Sequence, residues 1–478
     1  MKRNKIILMA FAGMVTFSSC KKLIEIPDTD LLAGANALSQ VTYVEQAILG
    51  GYAAATPDMD ILLNATFADE VAKAEFYNAV TTHEWQYSPA DVGLRDNFTA
   101  IGINYTIINR VNLALEALPN ADSTKVGDEV KRRRLRGEGL FLRAFAHFEL
   151  FRFYCKNYDP AGLGMPYMET SSILPIPRIA MGPYFVKIKA DLAEAKTLVV
   201  NSLADVNRAN VAAVAGMQAR VALYMRDWAA AETFASEFIT AVPLATIAQF
   251  PGIWTDVNTS EQAYRVFKTS TLGARIGSLF RGTSANASNI GTITWKPSEK
   301  VWSAYDPIND VRFASYLKSE PLLTGVGRDP RLIFKYAGGT YAAPNENVAN
   351  GKVLRTAEMV LIRAEARAEL NKFTGANSAE SDINLLRSNR ITGYTNAVFA
   401  SKQQAIDEMM QERFKELVYE GHRFFDLKRR GLPVTRLAID APSAAGLSLP
   451  ANNFRFTLPI PLPEVTANPT MTQNEGYQ

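Results

Sequence analysis

Two stretches of this chain read as tightly packed helix pairs, and that pattern constrains the fold more than any other feature of the sequence. From Asn210 to Met225, Val211, Val214, Met217, Val221 and Tyr224 recur at helical spacing, with the small residues Ala215, Gly216, Ala219 and Ala222 between them. Arg226-Asp227 then turns the chain into a second helix from Trp228 to Ile239. Small residues at a crossing let two helix backbones approach closely. The plan recurs with Met359, Ile362, Ala366 and Leu370 on one helix, Asn371 to Asn377 as the turn, and Ala379, Ile383 and Leu386 on the next.

Helical spacing also marks Val44, Ala47, Ile48 and Tyr52, then Ile101, Tyr105, Ile108, Asn112 and Leu115, and a long segment from Glu129 to Tyr154. Between the first two, Ala65 to Gly93 is irregular and holds Trp85 and Tyr87. Such pairs resemble tetratricopeptide repeats, whose units stack because none buries its apolar face alone, although the regular ~34-residue period of those arrays is absent. Inserts separate the pairs, the longest from about Val242 to Lys352. It turns toward Gly, Ser, Thr, Asn and Pro and contains Trp254, Trp295, Trp302 and Tyr305. The expected fold is all-α: a tetratricopeptide-like scaffold of helix pairs whose long irregular loop inserts form a ligand face. The alternative for these aromatics is that they pin the loops to the scaffold.

The amino terminus reads as an address. Lys2, Arg3 and Lys5 precede the apolar run Ile6 to Phe17 and the small pair Ser18-Ser19 ahead of Cys20, the layout of a secretory signal. Twelve residues of helix reach roughly 18 Å, short of the ~30 Å hydrocarbon core of a bilayer. A cysteine directly after the small residues resembles a bacterial lipobox, with Phe17 where Leu is usual; an ordinary cleavage site is the alternative. Lipid on the Cys20 thiol would tether the protein, since each buried methylene contributes roughly 0.8 kcal/mol. Residues 1–19 are thus the expected signal peptide, with Lys21 to Leu32 a spacer before the folded body.

Charge and composition exclude several functions. Lys and Arg total 51 against 48 Asp and Glu, and removing Lys2, Arg3 and Lys5 leaves 48 against 48, so no basic field points to nucleic acid. The run Lys131-Arg132-Arg133-Arg134 is interleaved with Glu129 and Glu138 and reads as a solvated helix face. Two cysteines and three histidines exclude a disulfide scaffold and a Cys-rich zinc site. No His-Glu-x-x-His, phosphate-cradling glycine loop or Gly-x-Ser-x-Gly elbow occurs. His147 reads as a core residue and Cys155 as a buried thiol. Any two of the 48 acids could meet at the separation that glycoside hydrolysis needs, so a secreted glycosidase stays an alternative.

The densest motif runs from Gln411 to Arg429. On one helix Met410, Phe414, Leu417, Gly421 and Phe424 form an apolar stripe, and Glu412, Glu416 and Glu420 fall at successive i, i+4 positions. Arg413 and Arg423 each lie three residues from a glutamate. An ion-pair lattice locking this helix to its neighbours is the expected role, rather than a catalytic group of Glu420, His422 and Asp426.

This stretch resembles the signature of the SusD/RagB family of nutrient-binding outer-membrane lipoproteins. Glu358 to Ala366, Leu385-Leu386-Arg387, the terminal block from Pro459-Ile460-Pro461 to Gly476-Tyr477, and Cys20 with Leu23 to Pro27 are similar to that family as well. The resemblance implies one domain over residues 20–478, divided near 205 and 352. It implies binding of oligosaccharide, or of oligopeptide in some members, with no catalysis and no cofactor or metal. The chain would be lipid-anchored in the outer membrane, facing the cell surface, as a lid on a SusC-like TonB-dependent transporter. Family ligand contacts fall in two zones, which here offer Asp69, Trp85 and Tyr87, then Trp295, Trp302 and Tyr305. Aromatic rings suit the flat C–H faces of sugars, and carboxylates suit their hydroxyls.

Overall fold

Asn210 caps the first helix of the first pair by accepting a hydrogen bond from the Ala213 amide at 2.9 Å, and Asp227 caps the second through Ala230 at 3.2 Å. Arg226 turns the chain between them with φ 58°, a left-handed conformation. The computed structural model describes residues 37–94, 100–271, 275–283 and 293–478. Cys20, the signal segment and the spacer lie outside the described residues. The main helices are α1 (Val41–Ala54), α2 (Asp58–Phe67), α3 (Ala100–Ala117), α4 (Asp128–Tyr154), α5 (Met181–Leu198), α6 (Val211–Met225), α7 (Trp228–Ala241), α8 (Thr356–Glu369), α9 (Ala379–Ser388), α10 (Lys402–Glu416) and α11 (Arg423–Arg430). From α3 to α9 each helix packs on the next in chain order, and α10 also lies against α8. Gly216 explains the closeness of α6 and α7: a Cβ there would lie 2.8 Å from the Phe238 ring.

Four two-stranded antiparallel ladders join the helices: β1 (Val71–Lys73) with β3 (Trp295–Pro297), β2 (Gln262–Val266) with β6 (Gly351–Arg355), β4 (Leu317–Ser319) with β5 (Arg331–Ile333), and β7 (Val434–Thr435) with β8 (Ser448–Leu449). The long insert is therefore not an open set of loops. Phe250, Trp254, Trp295, Tyr305, Tyr316 and Tyr336 build a second apolar core, which α2 and α10 complete with Ile61 and Phe414. The first core lies along α1 and α3–α7, and a third lies between α8, α9 and α10.

The dense motif is two helices, not one. Helix α10 stops at Glu416, Tyr419 and Gly421 take φ of 59° and 83°, and α11 begins at Arg423. Only glycine fits at 421, where a Cβ would lie 2.8 Å from that of Asp60. The break turns Glu420 toward Arg355 and Lys335, each at 2.6 Å. Glu412 meets Arg312 at 2.5 Å and Arg387 at 2.7 Å, and Glu416 meets Arg355, Arg312 and Arg390 at 2.6, 3.1 and 3.1 Å. The lattice is real and buried, but two of its expected pairings differ. Arg413 holds Asp426 at 2.9 Å and Arg423 holds Asp69 at 2.8 Å, while the glutamates are taken by cations from other segments. Glu420, His422 and Asp426 face separate neighbours; His422 is buried and held neutral by burial and by surrounding arginines, Arg220 and Arg413 among them. His147 stacks on Tyr167 at 3.8 Å, and Cys155 is a buried free thiol.

Candidate functional site

The ladder of β1 and β3 brings the two expected ligand zones together, pairing Lys73 with Trp295 and Val71 with Pro297. Asp69 sits just before it. Burial pushes the Asp69 carboxyl up, yet Arg423 and Lys300, the latter at 2.5 Å, hold it well below the usual carboxylate range. Most of the other expected residues are interior. Trp85, with φ 56°, is 3% exposed; its indole N–H donates to the Phe67 carbonyl at 2.9 Å and the Arg436 guanidinium lies 4.3 Å from its ring. Tyr87, 1% exposed, stacks on Phe67 at 5.2 Å and donates to the Arg455 carbonyl. Trp295, 3% exposed, packs edge-on against His83 and Tyr77 at 4.8 and 5.3 Å. Tyr305, 6% exposed, donates to the Lys415 carbonyl at 2.7 Å.

Rings this enclosed offer no face to a sugar, so in this structure Trp85, Tyr87, Trp295 and Tyr305 pin the insert and the N-terminal zone to the scaffold. Their polar sequence surroundings conceal partners that come from remote segments. Asp69 is likewise consumed by its two cations. Trp302 differs: it is half-buried, meets Phe313 edge-on at 5.2 Å and lies beneath the Arg331 guanidinium at 5.9 Å.

Trp302 ends a partly exposed strip over β1, β3 and β5. At the other end Phe76 is 53% exposed, its amide bonded to the Ile293 carbonyl at 3.3 Å. Between them run ion pairs: Glu75 with Arg328 at 2.7 Å, Lys296 with Asp329 at 2.6 Å, and Arg331 with Asp329 at 2.8 Å and Glu299 at 2.5 Å. Burial pushes Asp329 up, but Arg331 and Lys296 hold it well below the ordinary range. Arg328 lowers Glu75 in the same direction. The strip thus presents two exposed-edge aromatics and a row of ionised donors and acceptors in fixed positions. Sequence reading found only Trp302 here. The charged turn Arg328-Asp329-Pro330-Arg331 ahead of Leu332-Ile333 was an available signal.

Residues 331–477 match the model of the SusD family, and residues 28–223 match a SusD-like model described as starch-binding and associating with the outer membrane. The chain belongs to the SusD-like family. Solved SusD superfamily proteins share its fold. One from Bacteroides thetaiotaomicron VPI-5482 is 21% identical with a TM-score of 0.77, covering 91% of this chain and 99% of its own. Another, from Bacteroides vulgatus ATCC 8482, is 24% identical with a TM-score of 0.77, covering 92% of this chain and 99% of its own. Surface glycan-binding protein A from Bacteroides thetaiotaomicron, solved in complex with laminarihexaose, is 16% identical with a TM-score of 0.70 over 91% of this chain and 99% of its own. No curated protein matches this SusD-like chain. Among the described residues no helix is long and apolar enough to cross a membrane.

Proposed function

We propose that this SusD-like chain is a surface glycan-binding lipoprotein that captures oligosaccharide and passes it to a SusC-like TonB-dependent transporter for uptake. Residues 20–478 act as one domain, tethered to the outer membrane through Cys20 after removal of residues 1–19. The observation that carries the reading is the strip: Trp302 and Phe76 bracket ionised side chains that are fixed in place yet reachable. Flat aromatic area pairs with sugar C–H faces, and charge-assisted hydrogen bonds take the hydroxyls. The SusD-like model described as starch-binding and the fold neighbour solved with laminarihexaose support carbohydrate as the ligand class.

The reading assigns binding without catalysis. A glycosidase needs one carboxyl protonated near neutral pH to serve as general acid. Asp329 and Glu75 are held in the opposite direction by their cations. The test is calorimetric titration with neutral hexaoses of glucose, xylose, mannose and galactose and with mixed oligopeptides, followed by chromatography of the sugars. Binding of a hexaose that emerges intact supports the reading. Binding of peptides alone, or shortened sugars, overturns it.

A further inference from the structure

Away from the strip, a cleft of about 910 Å3 opens where remote segments meet: the loop Lys156–Leu163 after α4, Met181 at the start of α5, Arg226 in the turn after α6, and the C-terminal residues 452–457 and 472–478. No residue of the strip lines it, and its volume falls in the range of roughly 300–1,000 Å3 common for small-ligand sites. Its walls are tied down. Asn157 donates to the Lys428 carbonyl at 2.9 Å, and Asn474 donates to the carbonyls of Tyr154 and Leu458 at 2.9 and 2.7 Å. Gln473 donates to the Ile460 carbonyl at 2.8 Å, so the C-terminal wall is built onto the scaffold.

On these fixed walls stand side-chain groups with unspent hydrogen-bonding capacity. The Tyr158 hydroxyl, the Asn452 amide and the Thr472 hydroxyl bond to no other side chain or backbone group among the described residues. Two aromatics are positioned as plates. Phe454 is 36% exposed and is held edge-on by Tyr477 at 4.9 Å, and the half-buried Tyr158 meets Phe185 at 4.8 Å. The charges around them are of both signs: Lys156 pairs with Glu475, Lys428 donates to the carbonyls of Arg152 and Cys155, and Asp159 and Arg226 make no ion pair among the described residues. A wall of mixed sign selects neither an anion nor a cation, whereas amides and hydroxyls, which donate and accept, suit ligands that do both.

We propose that this cleft is a second glycan-binding site for a segment of neutral oligosaccharide, with Phe454 and Tyr158 against sugar rings and Asn452 and Thr472 on hydroxyls. The inference rests on the carbohydrate reading above and adds a second site to it. Two sites on one protein hold a long polysaccharide more tightly than either alone, because the second contact becomes intramolecular.

The test uses the mature chain, the neutral hexaoses named above and a hexaose of galacturonic acid, with calorimetric stoichiometry as the readout. Asn452→Gly keeps the left-handed backbone at φ 59° and removes the amide, and Thr472→Val keeps the shape of the side chain while removing the hydroxyl. Neither substitution removes the Phe454 anchor of the C-terminal wall, and unchanged melting of the double variant verifies its fold. The expected result is two hexaoses per wild-type chain, with one site at least about tenfold weaker in the double variant and the other weakened in Trp302→Ala. A single site that weakens with Trp302→Ala and ignores the double variant overturns the inference and leaves the carbohydrate reading standing. Binding of the galacturonic hexaose alone in the cleft overturns the neutral class, and no binding of any hexaose overturns both readings.

Discussion

Trp302 keeps part of its ring in solvent while Phe313 and Arg331 fix its orientation, so its removal reports on a ligand rather than on the fold. Trp302→Ala is expected to weaken glycan binding by about 1–3 kcal/mol, as expected for a rigid aromatic at a binding hot spot, with little change in melting. Trp295→Ala should do the reverse to the fold: emptying an enclosed ring site costs on the order of 3–5 kcal/mol of stability, read by denaturant unfolding. Equal melting of Trp295→Ala and wild type would return Trp295 to the ligand face. These two tryptophans lie seven positions apart in similar polar sequence, which is why the sequence did not separate them. What distinguishes them is contact with His83 and Tyr77, more than 200 residues upstream, and local pattern carries no trace of a partner so remote. Arg328, Asp329 and Arg331 escaped notice for the same reason, since their value lies in reaching Glu75, Lys296 and Glu299.

At the scale of elements, the helix pairs were legible because their signal is local: apolar spacing, small residues at the crossing and a polar turn between the helices. The lattice around α10 was legible as a lattice but not in its partners. Arg312 is 100 residues from Glu412, and spacing within one helix cannot anticipate that pair. Nor did spacing reveal the bend at Gly421, whose cause is the approach of α2 at Asp60. Glu416→Ala leaves Arg312, Arg355 and Arg390 buried around an empty position and should cost about 3–5 kcal/mol in denaturant unfolding. A loss within experimental error would mean the arginines find other partners. Acid should weaken the same element. Burial pushes Glu412 up, but Arg312 and Arg387 pull it down to about 2, below the value of an unfolded glutamate. Its contribution is therefore fully present above about pH 4.5 and is lost as pH falls through 2. Glu412→Gln should flatten the fall of stability between those limits, and an acid profile identical to wild type would remove Glu412 from the lattice.

The whole molecule is a stack of helix pairs that carries a folded insert, with a second core shared between the insert and α2 and α10, and this arrangement fixes the strip on the scaffold through β1 and β3. Because its ligand groups are pre-positioned, binding should proceed with little rearrangement. Anchorage belongs to the same scale. Cys20→Ala should abolish labelling by a radioactive fatty acid and release the protein from membranes, and equal labelling of the mutant would remove lipid from the reading. Capture on the strip is tested most directly by a crystal structure of the mature chain with a bound neutral hexaose. Sugar density against the Trp302 ring, with hydroxyls on Asp329 or Arg331, is the expected result, and an empty strip beside sugar bound only elsewhere would overturn the assignment.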